Sequence, residues 1–188
     1  MLMTLTGGSG AGKTTLAHAL AAGAPVSPVR VLHGDDYYFR TQEHGVWVPD
    51  ESGTPRLDVG DPWSVDLARL GRDAEEALAG SAVVVVEGLF ARRVGVRSSY
   101  PRFDVFVELA ADLRLARKIR RKCLDDGFPL DVLLRNYVLH RRDAHERYVE
   151  PVRRDCDLVA DGGADPAESA RSVWEAVRAR AATTGLPA

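Results

Sequence analysis

The stretch Leu2-Met3-Thr4-Leu5-Thr6-Gly7-Gly8-Ser9-Gly10-Ala11-Gly12-Lys13-Thr14-Thr15 decides how the rest of the chain is read. Leu2 to Thr6 is a short apolar strand, and Gly7 to Thr14 satisfies G-x-x-x-x-G-K-[ST] in full. An Ala/Leu-rich helix follows from Lys13 to Ala22, stopped by Gly23 and Pro25. Strand, glycine turn and helix in this order make an anion cradle. The glycines allow twists that point several N–H groups inward, and the helix adds the positive end of its dipole. Gly7, Gly8, Ser9, Gly10, Ala11, Gly12, Lys13, Thr14 and Thr15 are therefore expected to hold the phosphates of ATP. Lys13 is placed to bridge β- and γ-phosphate oxygens, and the Thr14 hydroxyl to coordinate Mg²⁺.

Beyond this unit the pattern continues as alternating strands and helices. Val29 to Leu32 reads as a second strand ending in the polar cluster His33 to Asp36, and Arg40 to Gly60 as a long loop. Asp61-Pro62 reads as the cap and first position of an amphipathic helix reaching about Leu78. The β-branched run in Ala82 to Val86 marks a strand buried on both faces. Phe103 to Leu109 is another strand, Asp112 the cap of a basic helix to about Asp126, and Leu130 to Val149 a further helix. Asp157 to Ala160 and Pro166 to about Ala182 close the pattern with a strand and a helix. The expectation is an α/β fold: a doubly wound, mostly parallel five-stranded sheet with a helical lid at about 113–150, all in one domain spanning 1–188.

The 188 residues suit one domain, and 45% apolar content is enough for one sizeable core. With 25 Lys and Arg against 27 Asp and Glu, the net charge of −2 disfavours nucleic acid as the main partner. No apolar run approaches the roughly 20 residues that span a bilayer, and no basic segment precedes an apolar one at the N-terminus, so a soluble cytoplasmic protein is expected. Cys123 and Cys156 lack disulfide or zinc spacing and read as ordinary, mostly buried thiols. The five histidines share no metal-ligand spacing. A homo-oligomer is compatible with the composition.

A phosphate loop alone does not separate kinases from GTPases or motor ATPases. No N/T-K-x-D element is present to read guanine, and the strand Val83 to Gly88 carries Glu87 where a motor ATPase would carry Asp. Asp35 and Asp36 follow the second strand in His33-Gly34-Asp35-Asp36-Tyr37-Tyr38-Phe39, and Glu87 follows the third. Carboxylates there are placed to orient an acceptor hydroxyl and take its proton. Tyr37 and Tyr38 are candidates for the wall of an acceptor pocket, with core packing as the alternative.

These residues resemble the uridine kinase and phosphoribulokinase group of P-loop kinases, over Met1 to about Val159. The resemblance rests on Gly7 to Thr14, Asp35 to Tyr38, Asp61-Pro62, Val84 to Gly88, Arg114 to Arg121, Glu150-Pro151 and Asp157 to Val159. It implies Asp35 as catalytic base, Glu87 near Mg²⁺ and the reacting groups, and the 5′-hydroxyl of uridine or a uridine-like nucleoside as acceptor. Two departures stand out. Gly60 occupies the place of the family's sugar-binding Asp, leaving Asp58 and Asp61 as substitutes, and Asp125-Asp126-Gly127-Phe128 replaces a Glu-Arg-Gly-Arg lid sequence. The alternatives are therefore nicotinamide riboside, pantothenate or a sugar as acceptor, or a regulator that binds nucleotide without turnover.

Arg114, Arg117, Lys118 and Arg121 recur at spacings of three and four and share one helix face. Such a face is either solvated or turned to the triphosphate, where Arg117 and Arg121 would neutralise charge developing during transfer.

Overall fold

The computed structural model describes residues 1–50, 52–97 and 99–184. Five strands form one all-parallel sheet: β1 (Leu2–Thr6), β2 (Val29–His33), β5 (Val83–Gly88), β6 (Arg102–Glu108) and β7 (Leu158–Asp161), ordered β2-β5-β1-β6-β7. The expected five-stranded parallel sheet is thus what the chain builds. Side chains alternate across it, so Met3, Leu5, Val83 and Val85 enter one core while Leu2, Val84 and Val86 enter the other. The first core is covered by α1 (Lys13–Ala22) and α6 (Pro166–Thr184), the second by α2 (Leu67–Gly80). Each fully buried valine of β5 contributes roughly 1.5–3 kcal/mol over an exposed one, which explains why this run forms a central strand.

Register places the strand ends together. Thr6 pairs with Gly88 and Phe106, His33 with Glu87, and Glu108 with Asp161, so the chain leaves all five strands along one edge of the sheet. Ligands of doubly wound sheets bind outside that edge.

Several sequence expectations need correcting. Within Arg40 to Gly60 the chain makes a small antiparallel hairpin, β3 (Trp47–Pro49) with β4 (Pro55–Leu57). Asp61 does accept the Trp63 N–H at 2.8 Å, but only over one 3₁₀ turn, Pro62–Ser64. Val65 is extended and bridged to Tyr38, so α2 starts at Leu67 under a second cap, Asp66, which accepts the Arg69 N–H at 2.8 Å. Asp112 lies inside the first turn of α3 (Ala111–Ile119), whose N-cap is Ala110; there its charge favours the helix dipole without capping. Both later helices widen into π turns: α3 through Arg120–Asp125, and α4 (Leu130–Asn136) through Tyr137–Arg141 into α5 (Arg142–Tyr148). Cys123 and Cys156 are half-buried.

Candidate active site

Along the carboxyl edge lies a cavity of about 1070 Å³, lined by the phosphate loop, the β2 and β5 ends and the helices between β6 and β7. At its floor, the first intrahelical bond of α1 runs from Leu16 N–H to the Gly12 carbonyl, so the N–H groups of Lys13, Thr14 and Thr15 have no partner within the helix. Gly12, at φ 99°, takes the left-handed step into that helix, a conformation a side chain would strain. Ser9, Gly10, Gly12, Lys13, Thr14 and Thr15 line the cavity. Gly7 and Gly8 instead allow close approach, the first by the Val107 carbonyl and the second by the Arg114 guanidinium. The Ala11 side chain belongs to the core, and its N–H is spent on the Gly8 carbonyl at 3.1 Å. Lys13 is buried and donates to that same carbonyl at 3.1 Å. Burial pushes its ammonium below the usual lysine range, against the opposing pull of Glu87 and Asp35.

Glu87 is 5% exposed at the end of β5, where its register partner is His33. Its Oε1 accepts the Thr14 hydroxyl at 2.9 Å and stands 3.0 Å from His33 Nδ1. Sequence reasoning assigned His33 no chemistry; only the cross-strand register reveals the contact. Thr14 and Glu87 present the hard oxygens Mg²⁺ prefers, with room for the water and phosphate ligands that complete its octahedron. Among the described residues no group of three His, Cys, Asp or Glu gathers as a protein-only metal site, a donor set that fits an ion shared with nucleotide phosphates.

Asp35 and Asp36 leave β2 in a 3₁₀ turn, Gly34–Tyr37, and only Asp35 lines the cavity. Asp36 is exposed to solvent, its carbonyl accepting from Arg69 at 2.6 Å. The two tyrosines also part. Tyr38 lines the cavity and donates to the Val59 carbonyl at 2.9 Å, and burial followed by Asp35 pushes its phenol well above the usual range. Tyr37 does not line the cavity and takes the alternative the sequence left open, core packing. It packs in the core under α2 and donates to Asp73 at 2.8 Å, and burial, followed by this bond, pushes its phenol up to about 12.

Neither substitute for the family's sugar-binding Asp lines the cavity. Asp61 caps its own turn, and Asp58 accepts the Gly60 N–H at 3.0 Å and forms an ion pair with Arg141. Gly60 itself lines the cavity, and a Cβ there would stand 2.9 Å from both Arg141 Nη1 and Ala144 Cβ.

The basic face of α3 turns toward the cavity. Arg114, Arg117, Lys118 and Arg121 line it and Arg120 does not. Arg117 donates to the Gly162 carbonyl at 2.9 Å, just beyond β7, and reaches the Gly10 carbonyl at 3.5 Å, tying the helix to the phosphate loop. Burial first, then Arg141, Arg121, Lys122 and Arg56, push the Lys118 ammonium down to about 8. The sequence placed Lys118 only on the shared basic face and gave Arg141 no role, since nothing local to residue 141 shows that it meets residue 58.

Comparison with known proteins agrees with this architecture. The Phosphoribulokinase / Uridine kinase family matches residues 58–167. A uridine kinase of Staphylococcus aureus (strain JH9) is 25% identical over 186 residues, covering 86% of this chain and 87% of that protein. Among solved structures, a gluconokinase from Sinorhizobium meliloti 1021 superposes with a TM-score of 0.58 at 21% identity, covering 97% of this chain and 94% of its own. The shikimate kinase of Acinetobacter baumannii in complex with shikimate gives 0.55 at 19%, covering 95% and 93%. Both structural likenesses speak to the fold.

Proposed function

The chain belongs to the phosphoribulokinase/uridine kinase family, and on that premise we propose that it transfers the γ-phosphoryl group of Mg-ATP to a hydroxyl of a small molecule through Lys13, Asp35 and Glu87. The carrying observation is that the phosphate-loop lysine, the Thr14–Glu87 pair and Asp35 line one cavity. Mg²⁺ held by Thr14 beside Glu87 would supply charge neutralisation between the β- and γ-phosphates. Lys13 and the free N–H groups of the α1 terminus bind phosphate oxygens, while Arg117 and Arg121 lie where they oppose charge on the moving group. Asp35 orients the acceptor hydroxyl and takes its proton as the new O–P bond forms and the bond to the β-phosphate oxygen breaks. Tyr38 and the Gly60 turn wall the acceptor side.

The relatives make the 5′-hydroxyl of uridine the first acceptor to test. A non-nucleoside acceptor is the second reading, favoured by a specific observation: neither Asp58 nor Asp61 lines the cavity, and Asp58 Oδ1 already accepts from Gly60 and Arg141. A coupled ADP-release assay over nucleosides, nicotinamide riboside, pantothenate and sugars tests both, with Lys13→Ala as control. Loss of at least about 10³ in turnover is expected for that variant. Near wild-type transfer in a folded Lys13→Ala protein would remove the assignment, and slow ADP release that no alcohol accelerates would favour a regulator.

A further inference from the structure

Glu87 lines the cavity and His33 does not, yet their side chains meet at the shared end of β2 and β5. The carboxylate is buried, whereas the His33 side chain is 35% exposed on the edge strand of the sheet. A carboxylate oxygen only accepts, so at 3.0 Å from Oε1 it is His33 Nδ1 that carries the proton and donates it. The His18 ring packs against the imidazole in a T-shaped contact, centroids 5.7 Å apart, which favours this orientation of the ring.

Two donors thus converge on one oxygen. Oε1 accepts the Thr14 hydroxyl at 2.9 Å and the His33 N–H at 3.0 Å, while among the described residues Oε2 accepts no hydrogen bond. Thr14 spends its proton on Glu87, so only the lone pairs of its hydroxyl remain for an ion. A rival partner stands close by. Lys13 is buried within electrostatic reach of Glu87, yet its ammonium donates to the Gly8 carbonyl at 3.1 Å, and no ion pair joins the two among the described residues. A carboxylate that swung to Lys13 would release Thr14 and occupy the lysine at once. The His33 N–H opposes that swing by holding Oε1 from the β2 side.

Resting on the kinase reading above, we infer that His33 is a positioning residue for the nucleotide and metal site: its Nδ1–H fixes Glu87 on Thr14, which keeps the Thr14 lone pairs and Glu87 Oε2 for Mg²⁺ and leaves Lys13 to phosphate. His33 acts from behind the wall and lines no part of the cavity. Removing a partner that orients a metal ligand in this way changes metal affinity or activity by roughly 10- to 100-fold.

The test compares His33→Leu, which removes the donor, with His33→Asn, whose Nδ2 can stand where Nδ1 stood. Calorimetry of ADP binding to the full chain, once with saturating Mg²⁺ and once with a chelator, gives the gain in affinity that the metal brings, with no acceptor or turnover needed. His33→Leu is expected to cut that gain about 10-fold or more. Its ADP affinity in chelator should fall by less than about 3-fold, the share owed to a Lys13 drawn toward Glu87. His33→Asn should stay within about 3-fold of wild type in both measurements. In turnover, the leucine variant should need about 10-fold more Mg²⁺ for half-maximal rate, and asparagine should restore the wild-type requirement. His33→Val, which suits an edge strand, takes the place of leucine if that protein does not fold. Three outcomes overturn the inference: an unchanged gain in the apolar variant, equal losses with asparagine and with the apolar residue, or a wild-type ADP affinity that ignores Mg²⁺. A protein that turned over no alcohol would remove the kinase reading, and the ADP measurements would still decide the role of His33.

Discussion

Glu87 Oε1 accepts the Thr14 hydroxyl at 2.9 Å, a contact between residues 73 apart in the chain. It joins the end of β5 to the first turn of α1 at the floor of the cavity. Replacing the carboxylate by an amide keeps the shape and removes the charge. Glu87→Gln is expected to lower turnover by about 10² to 10³ and to raise the Mg²⁺ needed for half-maximal rate. Rate against Mg²⁺ concentration, alongside a melting curve, checks it; an unchanged Mg²⁺ requirement would place Glu87 in a purely structural role.

Asp35 and Asp36 should separate sharply. Asp35→Asn is expected to reduce turnover by about 10² to 10⁴ with ATP affinity kept, since phosphoryl transfer demands only modest help from a base. Asp36→Asn should cost less than about 3-fold, because Asp36 does not line the cavity and its carbonyl carries the contact to Arg69. The reverse ranking in purified variants at saturating ATP would displace Asp35 from the reaction.

Three arginines of one helix test whether its basic face works on the reaction. Arg117→Ala and Arg121→Ala should lower kcat by about 10-fold or more, beyond any loss of ATP binding, and Arg120→Ala should stay near wild type. Only the first two line the cavity. Equal small losses at all three would mean a solvated face.

The packing of Lys118 carries a pH signature. Its folded-state value of about 8 lies below the ordinary lysine value, so the penalty for burying the charge is full below pH 8. It fades as pH rises from about 8 toward the unfolded value, because the folded protein releases its proton first. After discounting for solvent screening the penalty is roughly 1 kcal/mol. Without ligands, Lys118→Met should therefore melt about 2–4 °C above wild type at pH 7, with the gap closing above pH 8. A gap independent of pH would assign the gain to apolar packing instead.

Much of this architecture is legible in the residues themselves. The run Val83 to Val86 can only be satisfied between two apolar layers, and the glycine turn before Lys13 needs a strand to leave and a helix to enter. What stayed hidden depends on partners far along the chain. Asp61-Pro62 carries every sign of a helix start, yet the bridge between Tyr38 and Val65 holds the chain extended until Asp66. The hairpin inside the long loop has strands of three residues each, too short for a period to register. Tyr37 and Tyr38 are equivalent by type, and only the turn at Gly34–Tyr37 sends one to the core and the other to the cavity. Asp35 and Asp36 leave β2 in a 3₁₀ turn, and only that turn decides which of the two lines the cavity.

The ion pair between Asp58 and Arg141 spans 83 residues and stitches the end of the hairpin segment to the helices between β6 and β7. The geometry of the cavity wall beside Gly60 thereby depends on two separate stretches of sequence that must be edited together. Changing Asp58 alone strands a guanidinium, and changing Arg141 alone strands a carboxylate, so the two substitutions will not add. A library that redesigns this enzyme for a new alcohol therefore gains most by varying 58, 60 and 141 in the same clones.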